Sequence, residues 1–182
     1  MSEIPPGFSE DEYRVAPFDE VDEIGESAVL EFWAAEEAMP APTARERVGE
    51  VICVALHGET LVGVSTAYLH WSERLRTQMW HYRTFVGAEH RRSLVGLALL
   101  RQSRIHLESQ FESGRDTRAP GIMMELENVE LKATQIEAVW KADWAGPISW
   151  TFIGENARGD HIRVYYFPGA LAPLLAGPTD VV

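Results

Sequence analysis

One stretch of the sequence, residues 84–100 (TFVGAEHRRSLVGLALL), constrains the fold of this chain more than any other. A β-prone run from Gln78 to Val86 leads into it, and an apolar-periodic segment predicts a helix over 91–112. The first amides of a helix have no intrahelical partner, and the helix dipole favours negative charge there. The stretch therefore predicts an anion site, with Arg91 and Arg92 beside it.

The remaining sequence supplies the other elements of an α/β domain. Strands are predicted over 13–18, 51–56, 61–69, 78–86, 121–127, 148–155 and 161–167. Helices are predicted over 21–39, 43–50, 91–112 and 128–140, and Gly114 is expected to end the third. The run 51–56 is nearly all apolar, as in a strand buried on both faces, and the turn at Gly58 makes it a hairpin with the next strand.

The charge distribution narrows the choice of partners. The net charge is −12, and residues 1–50 hold fourteen acids against three arginines. This acidic balance argues against nucleic acid as a partner. Residues 73–118 reverse it, with nine arginines against five acids. That local excess surrounds the predicted anion site, although solvated helix-face charge is an equally good account of any single arginine outside the turn.

Other features indicate a cytoplasmic protein with no membrane partner. The chain has no apolar run of the length that spans a bilayer. Residues 1–6 lack the basic start and apolar stretch of a secretion signal. Cys53 is the only cysteine, so no disulfide can form within the chain, and we expect it to be a small buried hydrophobe.

Within residues 84–100, the spacing of Val86, Arg91, Gly96 and Leu99–Leu100 resembles the pyrophosphate motif of the GNAT superfamily of acyl-CoA N-acyltransferases. In that motif a strand ends in valine, an arginine opens the sequence Arg-x-x-Gly-x-Gly/Ala, and a helix with paired leucines follows. Arg91 falls on the motif arginine and Gly96 on its final small residue. A generic strand–turn–helix is the alternative, and the coincidence of these features favours the family.

The resemblance implies an α/β (α+β) fold with a mixed, mostly antiparallel sheet of about six to seven strands and helices on both faces. It implies an N-acyltransferase that uses acetyl-CoA or another acyl-CoA, with a small-molecule or peptide amine as acceptor and no metal. The residues that it places around CoA are Phe85, Val86, Arg91, Arg92, Ser93, Leu94, Val95, Gly96, Leu97 and Asn128. Asn128 also fits a helix N-cap, and the two roles are compatible.

Leu94 departs from the family pattern, because it stands where the motif has its middle glycine. Glycine lets the pyrophosphate approach the backbone amides closely. Leu94 keeps its N–H, but its branched side chain narrows the approach. Either the side chain points into the core and the amides from Ser93 to Leu97 still hold phosphate, or the site has been lost.

Acyl transfer to an amine needs a held thioester, a deprotonated amine and an acid for the departing thiolate. The family commonly draws a carboxylate or a water-relay group from the strand before the motif or from the next strand. His81 is a candidate base on the former because an imidazole titrates near neutral pH. Glu125 and Glu127 share one face of the latter. A purely structural histidine and two merely solvated carboxylates are the alternatives.

Many family members carry a general-acid tyrosine in the helix after the asparagine, and this sequence has none between Asn128 and Trp140. Tyr165, or its neighbour Tyr166, is the substitute that the last strand offers. This second departure keeps another function open: a GNAT-fold protein that binds a CoA-type ligand without catalysis, or that serves as an assembly partner.

The acidic first fifty residues contain the helix pair that lines the acceptor site in the family. An acidic acceptor mouth would suit a cationic amine, whereas a generally acidic bacterial surface is the alternative and the favoured account of these charges. The domain organisation is predicted as a flexible arm over 1–10, one domain over 11–167 and an irregular tail over 168–182. Exposed edges on the last two strands predict a homodimer.

Overall fold

The structure, a computed structural model, describes residues 9, 12–134, 136–142 and 148–171. Its strands are β1 (Tyr13–Pro17), β2 (Val51–His57), β3 (Thr60–Ser72), β4 (Thr77–Val86), β5 (Gly121–Leu126), β6 (Val139–Ala142), β7 (Ile148–Glu155) and β8 (His161–Tyr166). Its helices are α1 (Glu26–Ala35), α2 (Ala41–Arg47), α3 (Val95–Glu112) and α4 (Val129–Thr134), and 3-10 turns lie at Phe18–Glu20, Val48–Glu50 and Ala88–His90. The predicted arm, apart from residue 9, and the predicted tail beyond residue 171 lie outside the described residues.

All eight strands form one sheet, in the order β1-β2-β3-β4-β5-β8-β7-β6. Its neighbouring strands are antiparallel except for β4 and β5, which are parallel because α3 carries the chain back across the sheet before β5 begins. The predicted fold class is confirmed: a mixed, mostly antiparallel sheet with helices. The sheet has eight strands rather than six to seven.

Helices cover both faces of the first half of the sheet. On one face, Val95 and Leu99 of α3 pack with Cys53 of β2. On the other, Val29 and Trp33 of α1 pack in a second apolar cluster. Because successive side chains of a strand point to opposite faces, the apolar run of β2 serves both clusters, as the sequence predicted.

Helix α3 begins four residues later than predicted. Leu94 has a left-handed backbone, with φ 64°, which a right-handed helix cannot contain, so residues 91–94 form a turn and the first helical residue is Val95. The other end agrees with the prediction. Gly114 follows the helix with φ 73°, the left-handed conformation that commonly ends helices at glycine.

The first helix is shorter than predicted, and the second begins two residues earlier than predicted and continues as a 3-10 turn to Glu50. Helix α1 ends at Ala35 because Glu37 has φ 50° and the N–H of Ala38 bonds back to the Trp33 carbonyl at 2.9 Å, which closes the last turn. Helix α2 begins directly after Pro40 and carries a proline in its first turn, where a missing N–H costs nothing.

The predicted helix over 128–140 is wrong in its second half. Helix α4 ends at Thr134, and Val139–Ala142 forms the edge strand β6 against β7. The run from Ile136 to Trp140 is rich in β-prone residues, and the free edge of β7 offers it main-chain partners that a solitary helix end lacks. Tertiary pairing therefore overrides the helical spacing.

The basis on which we predicted a homodimer is also wrong. The last two strands, β7 and β8, are internal, and the sheet edges are β1 and β6. No helix among the described residues is both long and apolar enough to cross a membrane.

The seat of α3 on β3 can be tested at Gly63. A Cβ at this position would lie 2.9 Å from Cδ1 of Leu99 and 3.3 Å from Cγ1 of Val95. We expect Gly63→Ala to lower the free energy of unfolding by about 1–3 kcal/mol, as overpacking does in a filled core. Urea denaturation measures the change, with Gly49→Ala as control because nothing lies within 4 Å of its added Cβ. Equal stability of the two variants would contradict the close packing of α3.

Candidate functional site

The parallel pair β4–β5 separates partway along its length. Three register pairs join the strands, and the last is Tyr82 with Met124. Beyond it, β4 continues to Val86 while paired with β3, and β5 continues to Leu126 while paired with β8. Each strand therefore follows its outer neighbour and leaves the facing inner edge unpaired. The sheet opens there into a cleft, which we call the β4–β5 opening.

A polar turn and the N-terminus of α3 follow β4 at this opening. Within the described residues, no carbonyl or side chain accepts a hydrogen bond from the N–H groups of Leu94, Val95 and Gly96. The N–H groups of Leu97 and Ala98 both bond to the Leu94 carbonyl at 3.0 Å. Three donors at the positive end of an 18-residue helix form an anion site.

Leu94 lies outside the core. The residue is 37% exposed, so its side chain does not point into the core, as the first of the two outcomes weighed from the sequence required. Its left-handed backbone is the conformation that glycine adopts without cost and that a branched residue adopts at roughly 1–2 kcal/mol. The turn thus retains the backbone geometry of a glycine while carrying leucine.

The motif arginine, Arg91, and its neighbour Arg92 are exposed at the mouth of the opening. Arg91 bends back along its own strand, donating from Nε to the Val86 carbonyl at 3.1 Å, with its guanidinium 5.7 Å from the centre of the Phe85 ring. Arg92 is exposed in the same turn. Opposite them, Glu36 at the end of α1 accepts a hydrogen bond from the Ala88 N–H at 2.9 Å.

The other predicted CoA residues take varied positions around the turn. Phe85 packs edge-on against Phe32 of α1, with 5.8 Å between ring centres. Ser93 donates from Oγ to the His90 carbonyl at 2.6 Å, which tightens the turn. A Cβ added at Gly96 would lie 3.7 Å from Cγ2 of Val86, which is an ordinary contact distance. Leu97 packs against the apolar core.

Asn128 takes the N-cap position of α4. Its carbonyl accepts a hydrogen bond from the Lys132 N–H at 2.9 Å, and its side chain is exposed just beyond the end of β5. The sequence predicted this N-cap position for Asn128, together with a contact to CoA. Asn128 therefore lies on the β5 side of the opening, while α3 begins on the β4 side.

His81 lies at the base of the opening, one residue before the last β4–β5 pair. Its Nδ1 is 2.8 Å from the hydroxyl of Tyr68, which faces it directly across the β3–β4 ladder. Burial lowers the pKa of His81 to about 4, against an opposing contribution from the Glu125 carboxylate. An imidazole with so low a pKa is neutral at physiological pH and is a weak base for an ammonium group.

Glu125 and Glu127 share one face of the sheet, as predicted, and that is the face of His81. Arg158, from the loop between β7 and β8, bonds to both carboxylates, at 3.2 Å to Glu125 and 3.0 Å to Glu127. Asn156 also donates to Glu125, at 2.9 Å. The pair therefore anchors this loop beside the opening, and Glu125 is the more buried of the two.

Tyr165 lies on the other face of the sheet, beneath α3. Its hydroxyl donates to Glu108 at 2.8 Å, roughly three and a half turns from the start of the helix. Burial and the Glu108 carboxylate raise its pKa to about 12. Its neighbour Tyr166 is 43% exposed at the end of β8. The structure thus brings His81, Glu125 and Glu127 to one face at the opening and leaves Tyr165 apart from them.

The fold of this chain is similar to the folds of solved acetyltransferases. A ribosomal-protein-S5-alanine acetyltransferase from Vibrio fischeri aligns with 90% of this chain and 98% of its own, at 9% identity and a TM-score of 0.54. The chain has a GNAT fold. NAA60 of Arabidopsis thaliana in complex with acetyl-CoA aligns at a TM-score of 0.48 and 13% identity, over 85% of this chain and 99% of its own.

A GNAT-family acetyltransferase from Streptococcus pneumoniae also aligns, at a TM-score of 0.47 and 8% identity, over 85% of this chain and 97% of its own. No protein-family model matches the chain, and no curated protein matches it. At these identities the likeness concerns the fold alone.

Sequence reasoning missed several polar residues of this GNAT fold at the opening. They are Glu36, Glu50, Tyr68, His70, Arg83, Asn156 and Arg158. The β3–β4 register that sets Tyr68 against His81 depends on the turn over 73–76, which carries no strong turn signal. Arg158 stands in a turn-rich loop that the sequence did identify, but its two carboxylate partners are about thirty residues away along the chain.

The strain at Leu94 generates a stability prediction. We expect Leu94→Gly to have a free energy of unfolding about 1 kcal/mol higher than Leu94→Ala, because glycine alone adopts this backbone without a Cβ clash. Leu94→Ala is the matched control, since it removes the same exposed side chain and keeps the Cβ. Urea denaturation of both variants measures the difference. A variant pair of equal stability would show that the turn does not hold residue 94 in the left-handed region.

Proposed function

We propose that the chain is an acyl-CoA-dependent N-acyltransferase that uses acetyl-CoA and transfers the acetyl group to an amine. The observation that carries this proposal is the coincidence of the β4–β5 opening with the unengaged amides of Leu94, Val95 and Gly96. An extended thioester arm needs unpaired strand edges, and a diphosphate needs clustered N–H donors. Both lie at the same end of the same two strands.

The residues at the opening fit such a ligand. Three main-chain donors and the exposed guanidinium groups of Arg91 and Arg92 supply charge-assisted hydrogen bonds to phosphate oxygens. Leu94 has its side chain outside the core, so its N–H keeps the orientation that the left-handed backbone gives it. The inner edges of β4 and β5 are free to pair with amide groups of an extended arm.

When bound, acetyl-CoA supplies a thioester whose carbonyl carbon bonds to the acceptor nitrogen as the C–S bond breaks and its electron pair leaves on sulfur. The protein must remove a proton from the acceptor amine. We assign this step to Glu125, a partly buried carboxylate at the opening whose orientation is fixed by Arg158 and Asn156. Glu127 is more exposed and serves as a second proton acceptor toward solvent.

We propose a cationic amine as acceptor, either a small molecule or a peptide. Glu36 places a carboxylate at the turn after β4, and Glu125 and Glu127 place two more at the opening against the one guanidinium of Arg158. A positively charged amine is drawn toward such a surface. The fully buried free thiol of Cys53 is compatible with the reducing cytoplasm that we propose for the protein.

A second function, binding of a CoA-type ligand without catalysis, has its own support. No tyrosine follows Asn128 on α4, and Tyr165 lies beneath α3 with its hydroxyl bonded to Glu108. In this second function Arg158 holds Glu125 and Glu127 in structural ion pairs, and the opening serves only as a binding site. A thiol-release assay separates the two functions.

Thermal-shift titration with CoA and acetyl-CoA, paired with colorimetric thiol release over a panel of polyamines and basic peptides, tests the proposal. We expect both nucleotides to stabilise the protein and one or more amines to release CoA. Stabilisation without release in any arm would establish the second function. Absence of stabilisation by either nucleotide would overturn both.

Arg91→Ala should weaken CoA binding about tenfold, as expected for loss of one charge-assisted contact to phosphate. Isothermal titration calorimetry with CoA measures the change. Arg115→Ala is the matched control. Arg115 is also exposed, and its substitution removes the same charge beyond the opposite end of α3. Equal affinities of the two variants would move the pyrophosphate away from this turn.

A further inference from the structure

A hydrogen-bonded group of rings lies on the face of β3 and β4 that α1 also covers, next to the β4–β5 opening. Tyr68 and His81 are direct register partners, with ring centres 5.1 Å apart and planes inclined by 30°. His70 meets both rings edge-on, at 6.0 Å from Tyr68 and 5.4 Å from His81. We call these three residues the ring cluster.

Arg83 holds the phenol ring of the cluster in place. Its guanidinium lies 4.4 Å from the centre of the Tyr68 ring, within the range of a cation–π contact. Glu50 binds the same guanidinium at 2.5 Å, and both side chains of this ion pair are largely buried. The Tyr68 hydroxyl is thereby fixed against Nδ1 of His81, at 2.8 Å.

The hydrogen bond between Tyr68 and His81 has a preferred direction. Burial raises the pKa of Tyr68, so the phenol keeps its proton at physiological pH. Nδ1 of His81 is the acceptor that the described residues offer to this O–H. If Nδ1 carried a proton, it would donate to the Tyr68 oxygen, and the phenol O–H would have no acceptor among the described residues. These contacts favour donation by Tyr68, which would place the proton of the neutral imidazole on Nε2.

Nε2 of His81 is the polar atom left over. It makes no hydrogen bond within residues 12–134, 136–142 and 148–171, and it is not among the buried polar atoms there that lack a partner. It therefore reaches solvent. His81 precedes the last β4–β5 pair, and Glu125 follows on the same face. A ring N–H donor thus stands at the base of the opening.

We propose that His81 acts as a neutral hydrogen-bond donor, from Nε2–H to a ligand carbonyl oxygen in the β4–β5 opening, and that Tyr68 is the positioning residue that fixes this tautomer. The inference rests on the proposed function for the identity of the carbonyl, which is that of the thioester. A thioester oxygen gains negative charge as an amine attacks its carbon. A fixed donor stabilises that charge, and the proton stays on Nε2 throughout.

The surroundings of His81 keep it neutral across the working pH range. The charged or titratable groups that face it are Arg47 of α2, Tyr68 and His70 of β3, Arg83 of β4 and Glu125 of β5. Burial outweighs the Glu125 carboxylate, and the pKa of His81 falls to about 4. Above that pH the ring is uncharged. A neutral N–H donor needs this environment, whereas a general base is weakened by it.

Nitrogen NMR of the full chain labelled with 15N in histidine tests the tautomer directly, without any ligand. We expect His81 to show a pyridine-type Nδ1 and a pyrrole-type Nε2 at every pH from 5 to 9. Tyr68→Phe keeps the ring and removes the hydroxyl, so it should produce a mixture of tautomers. His70→Asn is the control and should leave the His81 signals of the Nε2–H tautomer in place. A protonated Nδ1 in the wild type, or an unchanged tautomer in Tyr68→Phe, would overturn the inference.

A second measurement locates the acceptor of the hydrogen bond. Addition of acetyl-CoA should shift the Nε2–H proton signal of His81, and addition of CoA, which lacks the acyl carbonyl, should shift it less. Equal shifts with the two nucleotides would contradict a bond to the thioester oxygen. If neither nucleotide binds in the thermal-shift titration, the proposed function fails and the assignment of the carbonyl fails with it, while the tautomer result stands by itself.

Two substitutions separate a donor from a base once an amine substrate is found. Glutamine carries an N–H donor near the position of Nε2 and cannot take up a proton, and leucine has neither property. We expect His81→Leu to lower kcat about 10²-fold, as removal of an oxyanion donor does, and His81→Gln to stay within about tenfold of the wild type. If both variants lose activity equally, His81 is not the donor.

Discussion

The structure depends on how β4 and β5 divide their main-chain hydrogen bonds between each other and their antiparallel neighbours, β3 and β8. β4 remains hydrogen-bonded to β3 as far as Val86, and β5 remains bonded to β8 as far as Leu126, while their own pairing stops at Tyr82 and Met124. A parallel pair is slightly weaker per residue than an antiparallel pair, so each strand follows its antiparallel neighbour as the sheet twists. The opening therefore follows from strand order, and the helix that links the two strands begins at its edge.

In the proposed phosphate site the donors are main-chain groups, and such a site can accommodate leucine in place of glycine. The donors at the start of α3 are backbone N–H groups, whose direction is set by φ and ψ rather than by the side chain. Leu94 reaches the left-handed conformation with its side chain at the surface, so the strain is local and the donors keep their place. A sequence pattern that requires glycine at this position describes turns without backbone strain and does not include a turn with a left-handed leucine.

The sequence indicated the fold mainly through local signals. Apolar runs, the turn at Gly58 and the basic turn after β4 were enough to predict seven of the eight strands and the class of the sheet. The eighth strand was missed because β6 exists only through its pairing with β7, which no local propensity reports.

The candidate site was less predictable, for the same reason. His81, Glu125 and Glu127 do share a face, but Tyr68 and Arg158 reach them through register and loop contacts between distant parts of the chain. Tyr165 was a candidate acid because the sequence predicted that it lies in the last strand. The sequence did not show which face of the sheet its side chain occupies. The strand pairing of Tyr165 with Ile122 turns it toward α3, where Glu108 accepts its hydroxyl proton in a hydrogen bond.

Burial decides what an ionisable side chain at the opening can do. Read from sequence, a histidine is a base with a pKa near neutral. Within the ring cluster the imidazole of His81 is partly removed from water, which lowers its pKa to about 4. Its Nδ1 is hydrogen-bonded to the hydroxyl of Tyr68. In the mechanism that we propose, its remaining polar group is the N–H at Nε2, and proton removal is assigned to Glu125, which is partly exposed and bonded to Arg158. The proposed roles of donor and base thus differ because the two side chains are buried to different depths.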